Sequence, residues 1–446
     1  NNAFAPSMET DVRSFSFDII PAGQIDRILV FKSPSAEIPG EFAGGVVKIF
    51  TKSIPENNYL TLDVSSSYRE GTTGEKFYST KNASLAWTGF DQGYFNLPKS
   101  FPVNRTALIG SSPAGLDAIG ASLKNNWLPI QSSAMPDIRA SLSGGLKLNA
   151  GDVKIGNVTG INYSNTRSIF RMERNDWGYS QIGSTGEPDE IFSFVDNQFT
   201  NAIRVGASHN WSVKLPGGSV FEFKNLFNQL SNTQYIQRSG FDNGSNWDIR
   251  SFDQVFRGIY TGQLTGRHEF QEGSLKTDWM VGYNSAYRNQ PDYKRFRYNM
   301  DGTNSSLFIP NGAAQTFILG RTYINMDEHS YTAAWNVDKK VKVGSDKELD
   351  FKTGLFYEDK ARNFGARNIG YVKSTPTFQT TLPIDQLFSP QNFNSSTGIK
   401  IDEQTNPNDS YKATNNLIAA YASVNYALGK KFNAIAGIRE EQNSQK

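Results

Sequence analysis

The chain contains no cysteine, so neither a disulfide framework nor a thiolate metal site can form. Histidine is scarce: there are three in 446 residues, and His209, His268 and His329 stand too far apart for the spaced ligand sets of zinc sites. Long apolar runs are missing as well. No stretch of about 18 apolar residues occurs, which excludes a membrane-spanning helix, and the first residues lack the charged-then-apolar pattern of a secretory signal. An excess of one charge is also lacking, because 45 Lys and Arg against 43 Asp and Glu leave a net charge of +2. That near-balance gives no electrostatic footprint for a polyanion, so nucleic acid is not expected as a partner. No catalytic set presents itself, and neither enzymatic activity nor a cofactor or metal is expected.

What is present is aromatic side chain, 13% of the chain, beside a mean hydropathy of −0.50. That pairing leaves a membrane β-barrel open. Only every second residue of a spanning strand faces lipid, so hydropathy averaged along the strand stays low.

Residues 25–52 differ in texture from everything after them. They read as a strand (28–31), a turn punctuated by proline and glycine (33–45) and a second strand (46–51). Upstream, Ser14-Phe15-Ser16-Phe17-Asp18-Ile19 alternates briefly between turn formers. Some 55 residues with so little apolar surface do not make an independent domain, so the segment is expected to pack against something larger. Pro39, Gly40, Gly44 and Gly45 read as turn formers whose glycines permit positive φ and close backbone approach.

From about residue 59 onward the texture is period two. Eleven strands are expected, at 59–68, 138–148, 153–165, 199–214, 219–230, 257–270, 275–288, 323–337, 349–360, 414–428 and 431–440. In the second of these, Ile138, Ala140, Leu142, Leu146 and Leu148 share one face while Arg139, Ser141 and Lys147 share the other. The connections alternate in length: 149–152, 215–218, 271–274, 338–348 and 429–430 are short, whereas 69–137, 166–198, 231–256, 289–322 and 361–413 are long. Residues 83–89 are assigned to the first long loop. Short turns on one side and long loops on the other suit a bacterial outer-membrane barrel, as do aromatics near strand ends such as Trp211, Trp335 and Phe351. An odd count of strands, where single-chain barrels close with an even one, leads to the expectation of a fragment.

Taken together, Ile28-Leu29-Val30-Phe31, Lys32-Ser33-Pro34, Gly44-Gly45-Val46-Val47 and Thr51-Lys52 resemble the C-terminal half of the plug of TonB-dependent outer-membrane receptors. Glu41-Phe42-Ala43-Gly44-Gly45, preceded by Phe15-Ser16-Phe17-Asp18-Ile19-Ile20-Pro21, resembles receptors of the Bacteroidetes type in particular. The turn Pro39-Gly40-Glu41-Phe42 differs from the Tyr-Gly-Ser-Arg-like run of the glycan-importing subfamily that docks a surface lipoprotein. The resemblance covers about thirty residues. It implies an all-β fold, a transmembrane antiparallel barrel of about 22 strands with an N-terminal plug in its lumen, here residues 1–55 from the plug and 56–446 from the first half of the barrel. It also implies the outer membrane of a Gram-negative bacterium as location, outer-membrane lipid as surroundings, and an inner-membrane TonB-type energy complex as partner through a segment outside this sequence. A surface lipoprotein or other envelope subunit is a further possible partner.

The long connections hold the candidate substrate-binding residues. Arg171, Arg174 and Trp177 occur together, as do Trp247 and Arg250, and Arg295 and Arg297 lie within Tyr-Lys-Arg-Phe-Arg-Tyr at 293–298. Arginine donors beside aromatic planes suit the capture of carboxylates, phosphates or sugars. Packing of loop on loop competes with that reading. The lumen charges Lys147, Asp278, Asp350, Lys352 and Glu358 are expected to hold the plug through polar contacts. Energy-coupled import of a scarce solute is the function this points to. The alternatives are a barrel acting as scaffold or accessory subunit of a larger surface or secretion assembly, and a soluble all-β adhesin or lectin.

Overall fold

The computed structural model describes residues 7–9, 25–42, 44–179, 186–343, 347–427 and 432–446. The expected alternating piece at 14–19 and the short turn at 429–430 lie outside the described residues. Strand makes up 64% of the chain and helix 8%, and no described helix is long and apolar enough to cross a membrane. The protein is mostly antiparallel β.

Strands β1 (Ile25–Phe31) and β2 (Val46–Thr51) pair as an antiparallel hairpin. After β3 (Tyr59–Ser67) comes a long connection that carries β4 (Lys76–Ser79), α1 (Arg105–Ile109), α2 (Pro113–Ser122) and β5 (Ile130–Ser133). Then follow β6 (Asp137–Ala150), β7 (Val153–Gly178), β8 (Asp189–Lys214), β9 (Val220–Asp242), β10 (Ser245–Phe270), β11 (Leu275–Asp301), β12 (Asn304–Leu307), β13 (Gly320–Val343) and β14 (Lys347–Lys373). A second long connection holds α3 (Ile384–Leu387) and β15 (Ile399–Glu403) before β16 (Ser410–Ala427) and β17 (Asn433–Gln445). The large sheet runs β3-β6-β7-β8-β9-β10-β11-β13-β14-β16-β17, with β12 added to β11 and β15 to β14. Each of the eleven expected strands is one strand of this path, in the expected order.

Their lengths differ from expectation. Strands β7, β8, β10, β11 and β14 have 26 or 27 residues, so most of 166–198, 231–256 and 289–322 and the start of 361–413 are strand and not loop. The alternation of long and short connections survives only in part. Strands β9 and β10 are joined by the tight turn Asn243-Gly244, whose φ values of 47° and 81° are those of a type I′ hairpin. The extensions escaped notice because their polar residues fall on both faces. Period-two reasoning detects a strand only where one face is apolar.

Register carries each face across the sheet. Leu142 stands opposite Leu62 and Ile161, Leu264 opposite Val281, Trp335 opposite Trp279 and Leu355, and Ala422 opposite Ile438. Near the short connections this apolar face is bare: Leu62 is 69% exposed, Leu355 54% and Ile438 74%. Toward the long connections the same face is covered, and Phe252 and Tyr371 there are fully buried. The cover comes from the two long connections. Phe77, Leu108, Trp127, Leu387, Phe388 and Phe393 pack on Phe199, Tyr235, Phe252, Phe296 and Tyr371 of the strands. Trp127 lies edge-on to Phe296 at 5.6 Å and against Phe388 at 4.6 Å. Helix α2 packs on this core through Leu116 and Ile119, and its start is capped where Ser112 accepts from the Gly115 N–H at 3.1 Å and Pro113 takes the first turn.

Candidate functional site

The opposite face of the sheet is polar, and the β1–β2 hairpin lies along it. Asn210 of β8 donates to Thr51 Oγ1 at 3.4 Å, Ser53 donates to Glu222 of β9, and Lys147 Nζ donates to the Glu56 carbonyl at 3.1 Å. Gly156 of β7 lets the chain at Ser53 and Ile54 pass closely, since a Cβ there would stand 2.8 Å from the Ile54 Cα. At the far edge Gly437 of β17 receives Ala36, and Glu441 accepts from the Gly40 N–H at 3.0 Å while held by Arg439. Glu441 thereby fastens the turn of the hairpin to the sheet edge.

The turn residues behave in part as expected. A Cβ on Gly40 would meet Glu441 at 2.8 Å and one on Gly45 would meet the Phe31 carbonyl at 3.3 Å, whereas Gly44 has open space. None of the three has positive φ. Close approach, and not left-handed backbone, is therefore what Gly40 and Gly45 provide, beside Pro39. The hairpin leaves Ile28 45% and Val30 57% exposed, so polar contacts and not burial of an apolar face attach it.

Between hairpin and sheet is a cavity of 280 Å³ lined by Glu37, Lys48, Asp278, Asp338, Lys352 and Tyr421 among others. Burial lowers the Lys48 ammonium from its ordinary value, against the pull of Glu37 and Asp278. Of the lumen charges named from the sequence, Lys147, Asp278 and Lys352 face the hairpin segment directly. Asp350 lies beside Asp338 on the same face, and Glu358 pairs with Lys360 at 3.7 Å.

Toward the long connections the polar face becomes rich in arginine. Asp196, 1% exposed, is gripped by Arg174 at 2.8 Å and Arg238 at 2.6 Å. Burial alone would raise its carboxyl, but the hydrogen bonds and charges of Arg238 and Arg174 hold it below the usual carboxylate range. Glu9 is held by Arg257 and by Arg288, the latter at 2.7 Å. Arg297 lies over the Trp247 ring at 4.0 Å and the Phe308 ring at 4.7 Å. Replacing Asp196 by alanine leaves two guanidinium groups without their shared acceptor, for an expected loss of about 1–3 kcal/mol read from denaturant midpoints.

The seven candidate residues are on strands, not in loops, and they do not form one cluster. Trp247 and Arg297 come together, with Arg295 two residues along the same face, and Arg174 joins the group on Asp196. Arg250, by register, is on the opposite face, paired with Asp248 at 2.7 Å and over the Tyr298 ring at 5.4 Å. Arg171 is exposed and pairs with Glu173 at 3.5 Å, and Trp177 is 47% exposed past a register shift. Asp196 and Arg238 carry no motif in the sequence. Only knowledge of the β8–β9 register, which sets them opposite each other, makes them a pair.

The histidines find neighbours on the apolar face. Trp211 donates to His209 at 2.8 Å, Trp279 donates to His268 at 3.2 Å, and Tyr283 is 2.9 Å from His329. Among the described residues no group of three potential ligands could hold a metal ion.

No protein family, curated protein or solved structure matches this chain.

Proposed function

We propose that the chain is part of a plug-gated outer-membrane importer of the TonB-dependent kind. One observation carries the reading: a bare apolar band crosses the eleven strands of the sheet's main path on one face, directly behind a polar face that carries the hairpin. Large contiguous apolar patches on a soluble monomer are rare, and each such side chain, about half exposed, gains on the order of 1 kcal/mol on leaving water. Lipid is the solvent that suits the band. A soluble adhesin or lectin would leave it in water, and no feature of the fold favours a scaffold without transport.

In this reading the sheet is the wall of a barrel, residues 25–52 belong to its plug, and the arginine-rich polar face lies above that plug on the solute's path. Arg174, Arg295 and Arg297, with Trp247, are the residues to bind the solute. The hairpin is attached by polar contacts, which exchange with water at little cost when it shifts. An apolar seam would resist that movement.

The absence of native cysteine permits a direct test. The pair Thr51→Cys and Asn210→Cys, at positions whose native side chains meet at 3.4 Å, tethers the hairpin to β8 on oxidation. Growth of the producing strain on the nutrient that requires this protein should stop under oxidising conditions and return with reductant. Uptake that proceeds unchanged through the tethered protein, or in a strain lacking the inner-membrane energy complex, would sink the proposal.

A further inference from the structure

A second cavity, of 570 Å³, opens on the side of the sheet opposite the hairpin. That volume is within the range of about 300–1,000 Å³ typical of small-molecule sites. Its floor is a register row: Asn289 of β11 stands opposite Asn325 of β13, Asn325 opposite Gly365 of β14, and Gly365 opposite Ser410 of β16. Its roof is the first long connection at Asn96, Val103 and Arg105. The roof is fixed, because Arg367 spends one nitrogen on the Pro102 carbonyl at 2.6 Å and grips Glu403 with two others at 3.0 and 2.7 Å. The cavity is thus built before any ligand arrives.

We infer that this cavity binds a sugar ring bearing an acidic group. The side-chain amides of Asn96 and Asn325 are engaged by no other described residue, and each offers donors and an acceptor, as sugar hydroxyls require. The Arg105 guanidinium has no ion-pair partner among the described residues, and its Nε is buried without an acceptor. Leaving such a donor unmet is costly, and a carboxylate or phosphate oxygen meets it best. Arg367 and Glu403 cancel, so Arg105 leaves the wall with one net positive charge. Pro291, Ala366 and Leu97 supply the apolar contact that the carbon face of a pyranose needs. The site is on the other side of the sheet from the proposed solute path, so it is independent of the transport reading. Two sources present this chemistry, a free acidic saccharide and the headgroup of an acidic glycolipid.

The full chain in detergent is titrated with glucuronate, glucose 6-phosphate and neutral glucose, and, reconstituted, with vesicles containing or lacking an acidic glycolipid. Binding is read by calorimetry, and folding is monitored through the thermal midpoint. Expected is saturable binding of the acidic sugars, or selective association with the glycolipid vesicles, which would identify a free or a lipid-borne ligand respectively. Either should weaken about tenfold in Arg105→Gln and fall again in Asn325→Leu, with unchanged thermal midpoints. Equal affinity for glucose, no response to any probe, or acidic-sugar binding that both variants retain would overturn the inference. Failure of the uptake test would leave these results unaffected.

Discussion

Replacing Asp292 by alanine should cost about 3–5 kcal/mol, because it strands two buried cations at once. Asp292 is 2% exposed and holds Arg321, also 2% exposed, at 2.9 Å and Lys294, fully buried, at 3.4 Å, and it accepts from the Tyr323 hydroxyl at 3.2 Å. The same two cations reach across to the first long connection. Lys294 donates to the Asn126 carbonyl at 2.8 Å, Arg321 donates to that of Lys124, and Arg321 lies 4.7 Å over the Trp127 ring. The cluster therefore latches the covering connection onto β11 and β13, beyond the bare apolar band. Limited proteolysis of the variant should cut between residues 80 and 130 under conditions that spare the native chain, with a matching fall in the denaturant midpoint. A change below about 1 kcal/mol, the size of one ordinary hydrogen bond, would show that the latch carries no weight.

The same cluster sets a pH dependence. Burial pulls the Lys294 ammonium down to about 8, against the attraction of Asp292, while burial pushes the Tyr371 hydroxyl up to about 12 and raises that of Tyr323 as well. Between pH 8 and about 10 the unfolded chain keeps a lysine proton that the folded chain has released. The unfolded state then binds more protons, so stability rises with pH, by at most about 1.4 kcal/mol per unit from this group. Above about 10 the tyrosines of the unfolded chain ionise while Tyr323 and Tyr371 stay protonated, and the sign reverses. Chemical denaturation across this range should show a maximum near pH 10, and Lys294→Met should abolish the rise while leaving the fall.

Leu355→Lys should cost about 2–4 kcal/mol of stability in a bilayer if the bare band is the lipid face. Leu355 is 54% exposed and stands between Trp335 and Ala420 in register, central in the band. Thr61→Lys, on the polar face of β3 beside the exposed Leu62, places the same charge away from lipid and should insert as the native chain does. Folding into lipid vesicles, followed by protection from protease, distinguishes the two. Equal insertion of both variants would remove the ground for a membrane.

Much of this was legible in the residues. Leu142, Val281 and Leu355 alternate with Ser141, Gly282 and Gly354, and that alternation marked strands in the right order and the apolar face they share. The hairpin at residues 25–51 was announced by Pro39, Gly40, Gly44 and Gly45. The upper halves of β7, β10 and β11 were not legible. Polar residues such as Arg171, Glu173, Arg250 and Arg295 stand on both faces there, between buried aromatics such as Phe252 and Phe296, so the hydrophobic period is broken. The candidate residues expected in loops are consequently strand residues, divided between two faces by alternation.

What the sequence determined is the all-β character of the chain, the order of its strands and which residues of each share a face, because side-chain period is a local property of the backbone. What only the tertiary structure decided is partnership. That Asp196 receives Arg174 and Arg238, that Asp292 neutralises Lys294 and Arg321 from across a register shift, that Glu441 meets Gly40, and that Arg105 lines a cavity with its Nε unbonded all depend on how strands align and how two long connections fold back on them. Apart from Lys294, which is two residues from Asp292, those pairings join residues from tens to hundreds of positions apart. Local pattern carries no record of such distances.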